Sequence, residues 1–437
     1  MSNAAAAIAW FFVACVLAAN VIAIALNLLA IPALYRRRLR PFENLPQPYA
    51  GFEPPVSLIV PAWNDEAGIA DTVRALLRLE YPAFEVVVVN DGSGDGTLDA
   101  LKGTFDLELF PEAYWRRLKA GAVRAVYHSR SVSNLRVIDK DHGGRADALN
   151  AGINASRYPL FCVFDGSSVP HPDSLRRVVE PFLEDADTVA AVGSVRLAQP
   201  RQLLALLQVV ESLRGTLFAR PGWAALGAAL HATGFVVLRK DSVVEAGGYR
   251  TDAVDAELEV LVRVHRMLRL RRERYAVRFV PDATSWKTGV AETLEHLRED
   301  RRHAQHALAD SVHLNRGLVN PRGGVPGLVA LPLVIALECF GPFVELAGYA
   351  AMALLFAIGA IPGAGLAAYV LLALSMGLAA SLSALMLEEA SFGLHPRWRL
   401  VAAAFVDNLG YRQLVAGWRV AGLARWIRSL NIAVQSR

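Results

Sequence analysis

Three polar loops hold most of the side chains that could do chemistry. Pro61-Ala-Trp-Asn-Asp-Glu66 follows the apolar run Val56 to Val60, Asp91-Gly-Ser-Gly-Asp-Gly-Thr97 follows Phe84 to Asn90, and Asp165 follows Tyr158 to Phe164. The Asp91 loop has three glycines in six residues. Missing side chains let backbone approach a ligand closely, and a carboxylate there can accept two hydrogen bonds from a base or sugar edge. The spacing is not the GxGxxG fingerprint, and a plain turn is the alternative use of such a loop. Lys140 and Arg145 bracket His142-Gly-Gly144 ahead of a helical pattern, where they are either solvated helix-start charges or groups for a ligand.

The elements that must position these loops are short strands and helices in alternation. Val56 to Val60 and Phe84 to Asn90 are continuous apolar, β-rich runs, and an amphipathic stretch from Ala67 to Leu79 lies between them. Leu135 to Asp139, Asp147 to Ala155 and Tyr158 to Phe164 repeat the alternation. A doubly wound, mainly parallel sheet accommodates this order, and in such sheets ligands bind beyond the carboxyl ends of the strands. Pro61, Asp91 and Asp165 all fall at those ends.

The whole chain of 437 residues is 54% hydrophobic and only 20% charged, which excludes disorder and points to a membrane. A net charge of +4 is too small for a nucleic-acid binder of this length. Cys15, Cys162 and Cys339 sit in apolar runs without metal-type spacing, so neither a disulfide framework nor a zinc site is expected. Ala4 to Leu34 exceeds what is needed to cross about 30 Å of hydrocarbon. Arg36, Arg37, Arg38 and Arg40 follow it, which places the next segment on the cytoplasmic side. Apolar stretches return at Gly327 to Ile361 and Gly363 to Leu387, whereas Arg397 to Trp426 alternates arginines with apolar residues as an interfacial helix would. The expected division is a membrane helix over residues 1–40, a cytoplasmic α/β domain over 51–324, and membrane and interfacial helices over 325–437.

The loops occur in an order and spacing, together with Lys140 to Asn150, Val163-Phe-Asp165 and Gly234 to Tyr249, that resembles family 2 glycosyltransferases of the GT-A fold. The branch of membrane-embedded polysaccharide synthases, those making poly-N-acetylglucosamine, hyaluronan or cellulose, is the most similar. The resemblance implies a GT-A domain with a mixed, mainly parallel sheet that holds a nucleotide-sugar, usually a UDP-sugar. Pro61 opens the first motif, Asn64 or Glu66 would line the nucleoside pocket, and Asp91 would bind the uracil. Lys140, Gly144 and Arg145 would approach the donor, and Asp165 would begin the DxD motif that binds ribose and metal diphosphate. Gly234, Glu299 and His303 fall on the acceptor side. The implied partners are the donor, a glycan or lipid acceptor, the bilayer of the cell membrane crossed more than once, and other synthase or export subunits, with no nucleic acid.

Three positions depart from the family pattern. Asp165-Gly-Ser-Ser168 stands where Asp-x-Asp is usual, so Ser167, a poor ligand for a hard dication, replaces a carboxylate and a weakened Mg2+ or Mn2+ site is expected. A gap-free match puts Ala256-Glu257 where the family has Glu-Asp, making Glu257 the candidate catalytic base and Asp255 its nearby substitute. Glu257 and Glu259 are two residues apart and cannot share one helix face. The Gln-x-x-Arg-Trp motif reads Glu299-Asp-Arg-Arg302-His303, keeping Arg302 to face phosphate but replacing the tryptophan. The expected activity is therefore inverting sugar transfer to a growing polysaccharide or lipid-linked acceptor. A catalytically weakened pseudo-glycosyltransferase that scaffolds a synthesis or export complex is the alternative.

Overall fold

A computed structural model describes residues 3–38, 51–110, 116–166, 168–197, 202–217, 220–230, 234–287, 291–392 and 397–435. Ser167 lies outside them. Among the described residues ten strands form one sheet in the order β3-β4-β5-β2-β1-β6-β9-β8-β10-β7. They are β1 Val56–Ala62, β2 Phe84–Asp91, β3 Leu107–Leu109, β4 Val123–Ser129, β5 Leu135–Lys140, β6 Leu160–Val163, β7 Ser168–Pro170, β8 Thr188–Leu197, β9 Val236–Arg239 and β10 Ala276–Lys287. β5, β2, β1 and β6 make a parallel block, and antiparallel pairings flank it on both sides.

The helices α2 Ile69–Leu77, α3 Thr97–Phe105 and α5 Ser174–Glu184 cover one face of this sheet, and α4 Arg145–Ala155, α8 Lys240–Glu245 and α9 Ala256–Arg271 cover the other. Burial on both faces is why the central strands read as unbroken apolar runs. In β2, Val86 and Val88 enter one core while Val87 and Val89 enter the other. α2 buries Ile69, Val73 and Leu76, a helical stripe facing the sheet. α4 approaches more closely because its sheet face is small: a Cβ on Gly152 would stand 2.5 Å from the Ile59 side chain. Its two asparagines are buried yet satisfied. Asn150 bonds the Tyr249 backbone in both directions, at 2.7 and 2.8 Å, and Asn154 accepts from the amides of Arg117 and Leu118. These bonds fix α4 so that its N-terminus opens at the carboxyl edge of the parallel block.

The remaining helices are α1 Asn3–Arg38, α6 Leu203–Leu217, α7 Arg220–Ala225, α10 Leu294–Leu314, α11 Leu331–Val334, α12 Gly341–Ala357, α13 Gly363–Phe392, α14 Arg397–Val406 and α15 Arg412–Gln435. Among the described residues two segments of 24 residues, Asn3–Leu26 and Gly363–Met386, are long and apolar enough to cross a membrane. Pro326–Cys339 and Gly341–Ala357 form a pair bent by 44° that passes the same test together. The expected single interfacial helix over Arg397 to Trp426 is instead two helices, joined by a π turn at Asp407–Tyr411 where Gly410 leaves helical geometry. Asp407 is buried there against Arg214 of α6, at 2.5 Å. That pairing explains an acidic residue in an apolar segment.

Candidate functional site

Sheet register brings Asp91 and Lys140 side by side, as the last residues of adjacent parallel strands. Lys140 is fully buried, and its ammonium donates to the Asp91 carboxylate, to Asp147 at 2.6 Å and to the Asp141 carbonyl at 2.6 Å. Burial pulls its pKa down, but its bonds to Asp147 and Asp91 outweigh that and leave it raised. Asp91 also accepts the amides of Gly143 at 3.0 Å and Gly144 at 2.8 Å. The geometry places both residues at the junction of the two loops: the Asp91 carboxylate receives the Gly143–Gly144 loop, and the Lys140 ammonium lies between Asp91 and Asp147. The two loops touch so closely that a Cβ on Gly92, with φ +63°, would lie 2.6 Å from the His142 amide.

Asn64 and Glu66 also bind the second loop. The Asn64 side-chain oxygen accepts from Gly94 N at 2.8 Å, and Glu66 accepts from Gly96 N at 3.2 Å. Asn64 adopts φ +51°, a left-handed turn directly after β1 and Pro61. The turn throws Trp63 outward, 58% exposed, where it stacks on His142 with ring centroids 5.2 Å apart and planes at 29°. Neither aromatic was singled out from the sequence. The available signal was a tryptophan at a strand end, where no core needs it.

Arg145, the first residue of α4, reaches across the carboxyl edge to Glu257, with Nε 2.6 Å from Oε1. Glu257 sits in the first turn of α9. Asp255 caps that helix, its Oδ1 accepting the amides of Glu257 and Leu258 at 3.0 Å each. Glu259 points the other way into the core, fully buried and paired with Arg263. Burial raises the Glu257 pKa; Arg145 pulls it back, and Asp255 and Asp165 push it up. Arg145, Asp165, Gly234, Asp255, Glu257 and His303 all line one cavity of about 1510 Å³.

α10 contributes differently from expectation. Arg301 and His303 face the cavity, and Arg301 pairs with Glu211 at 2.8 Å. Arg302 and Glu299 turn away toward α15. Arg302 backbone packs on Gly422, and Glu299 pairs with Arg425 at 2.6 Å. A helix rotates about 100° per residue, so neighbouring arginines cannot share one direction. Of the two arginines it is Arg301 that lines the cavity.

The residues present do not build a metal cage: among the described residues no group of three or more His, Cys, Asp or Glu could hold an ion. Asp165 offers one carboxylate. Asp65, overlooked in the sequence, stands against the next residue, its Oδ2 2.9 Å from where a Gly166 Cβ would lie. One or two carboxylates with substrate phosphates suit an ion such as Mg2+, which keeps much of its water. Away from the sheet the same cavity runs between the helices, lined by Asn20 of α1, Glu345 and Tyr349 of α12, Tyr369 of α13 and Arg412 of α15.

Comparison with known proteins agrees with this architecture. Residues 57–243 match the family model described as Glycosyl transferase family 2. Poly-beta-1,6-N-acetyl-D-glucosamine synthase of Staphylococcus epidermidis is 24% identical over 250 residues, covering 56% of this chain and 52% of that protein. The Staphylococcus aureus (strain COL) synthase is 25% identical over the same length and shares. The chain thus spans about half the length of the curated relatives it matches. A mannosyltransferase from Pyrobaculum calidifontis, solved with GDP-Man and Mn2+, shares the fold with a TM-score of 0.56 at 18% identity, over 92% of this chain and 99% of that one. Residues 57–243 are thus similar to family 2 glycosyltransferases, and they sit in a GT-A fold that also carries helices long and apolar enough to cross a membrane.

Proposed function

We propose that this protein transfers a sugar, with inversion, from a nucleotide-sugar, a UDP-sugar in the first instance, to a growing glycan or lipid-linked acceptor reaching it from the membrane side. The observation that carries the reading is one continuous cavity, lined by Arg145, Asp165 and Glu257 and extending among α1, α12, α13 and α15. In this reading Trp63 and His142 offer an aromatic face to the nucleobase, at the rim built by Asn64, Glu66 and the Asp91 loop. The similarity to poly-beta-1,6-N-acetyl-D-glucosamine synthases supports the polymer acceptor. The α/β domain over 51–324 would lie on the cytoplasmic face of the cell membrane, between a helix over 1–40 and the helices over 325–437.

The chemistry follows from these residues. The acceptor oxygen attacks the anomeric carbon as the bond from that carbon to the diphosphate oxygen breaks, and Glu257 takes the hydroxyl proton. Asp255 is committed to capping and is the weaker candidate. Arg145 moves from Glu257 to the departing diphosphate, where charge develops. Asp165 and water would hold a Mg2+ or Mn2+ ion, which supplies further positive charge to that leaving group. Arg301 and His303 border the acceptor path.

Release of UDP by the purified full chain, measured across UDP-sugars and GDP-Man with and without EDTA, tests this. One donor is expected to turn over. With EDTA, UDP binding should weaken but persist, because one described carboxylate at the DxD position carries the ion. Nucleotide bound without turnover from any donor would overturn the enzymatic reading in favour of a scaffold.

A second expectation separates the two arginines of α10. Arg301→Gln should lower turnover by roughly 10- to 100-fold, the worth of a charge-assisted hydrogen bond of about 1.5–3 kcal/mol. Arg302→Gln should leave turnover near the wild-type value. The reverse order in steady-state kinetics would restore Arg302 to the site.

A further inference from the structure

We propose that an arginine-lined cleft at the far end of α9 binds the phosphate of an anionic phospholipid headgroup. The cleft, about 560 Å³, lies between the end of α9, the start of β10 and the turn at Arg322. Five arginines line it against three carboxylates. Arg278 is neutralised by Asp185 at 2.9 Å, and Arg269 lies over the Tyr275 ring while donating to its hydroxyl at 3.0 Å. Arg272, Arg274 and Arg322 are exposed and have no ion pair among the described residues. Arg272 ends α9 in the left-handed conformation, φ +59°. A cleft with this excess of unpaired guanidinium groups fits an anion, and their planar forks match phosphate oxygens.

Position selects a lipid over a soluble anion. Arg322 stands just ahead of Pro326, where the bent apolar pair Pro326–Cys339 and Gly341–Ala357 begins. The Arg269 guanidinium packs at 3.2 Å against the place a Gly324 Cβ would occupy. Directly after it Val325, Leu328 and Val329 are 37%, 50% and 43% exposed. Cations and exposed apolar side chains along one rim are the pattern of a surface seated at the boundary between headgroups and acyl chains. The inference rests on Pro326–Ala357 lying in a bilayer and is independent of sugar transfer.

The test is native mass spectrometry of the detergent-solubilised full chain with phosphatidylglycerol or phosphatidylcholine, UDP binding being followed in parallel as a check of folding. Preferential retention of phosphatidylglycerol is expected. Arg272→Gln, Arg274→Gln and Arg322→Gln together should weaken it on the order of 100-fold, as expected for three interfacial cations, with UDP affinity unchanged. The three Lys substitutions should keep most of the preference, so a folding defect in the Gln variant does not decide the matter. Equal retention of both lipids, an undiminished preference in the Gln variant, or displacement of phosphatidylglycerol by inorganic phosphate would overturn the proposal, the last by making the cleft a soluble-anion site.

Discussion

Glu257→Gln is expected to leave UDP binding intact and to reduce turnover by a factor of roughly 10² to 10⁴, the usual worth of a positioned general base. The substitution keeps the shape of the side chain and its hydrogen bond from Arg145, so a folded, nucleotide-competent protein should result. Only proton acceptance is lost. Asp255→Asn should preserve turnover within a few-fold, because asparagine caps a helix about as well as aspartate. The pH profile gives an independent check. Burial, with Asp255 and Asp165 nearby, holds the Glu257 carboxyl above its ordinary value of 4.5 against the opposing pull of Arg145. A base works deprotonated, so turnover should rise as pH climbs through that raised pKa and level off above it. When the donor diphosphate draws Arg145 away, the pull that lowers the pKa disappears and the limb should lie higher in kcat than in kcat/KM. Turnover retained in Glu257→Gln and lost in Asp255→Asn would transfer the role to Asp255.

The parts legible in the sequence were those whose burial is symmetric or whose periodicity is simple. β1, β2, β5 and β6 are enclosed on both faces, so their apolar runs announced them, and the α2 stripe of Ile69, Val73 and Leu76 did the same. The second half of the sheet was not readable in this way. β7 and β9 are only three and four residues long, and β10 mixes exposed and buried positions around Pro281. The helical start at Ala256 was enough to send Glu257 and Glu259 in different directions, and the structure assigns Glu257 to the cavity and Glu259 to Arg263. Roles that depend on which neighbour is met across the fold were not legible. Arg301 and Arg302 differ by one step of helical rotation. Asp91 and Lys140 are 49 residues apart and become partners through strand register alone.

That partnership sets the last expectation. Lys140→Met should destabilise the fold by about 3–5 kcal/mol, because removing one member of a buried charge cluster leaves the others without compensation. Here the survivors are two carboxylates, Asp91 and Asp147, with side chains 3% and 12% exposed. The Gly143 and Gly144 amides would still bond Asp91, but hydrogen bonds from neutral donors do not cancel its charge. The loss should reach the site as well as the core. Asp147 receives the Gly121 amide and Asp91 the Gly143–Gly144 loop, so the approach to Arg145 loosens and UDP affinity should fall with the unfolding midpoint. Neutralising the survivors provides the control. Adding Asp91→Asn and Asp147→Asn to Lys140→Met should recover part of the stability, since an uncharged cluster has no ions to desolvate, and the three changes should combine less than additively because they share one contact. A Lys140→Met protein that melts within about 0.5 kcal/mol of the wild type, the range of ordinary surface substitutions, would show that the ammonium does not hold the two strands' ends together.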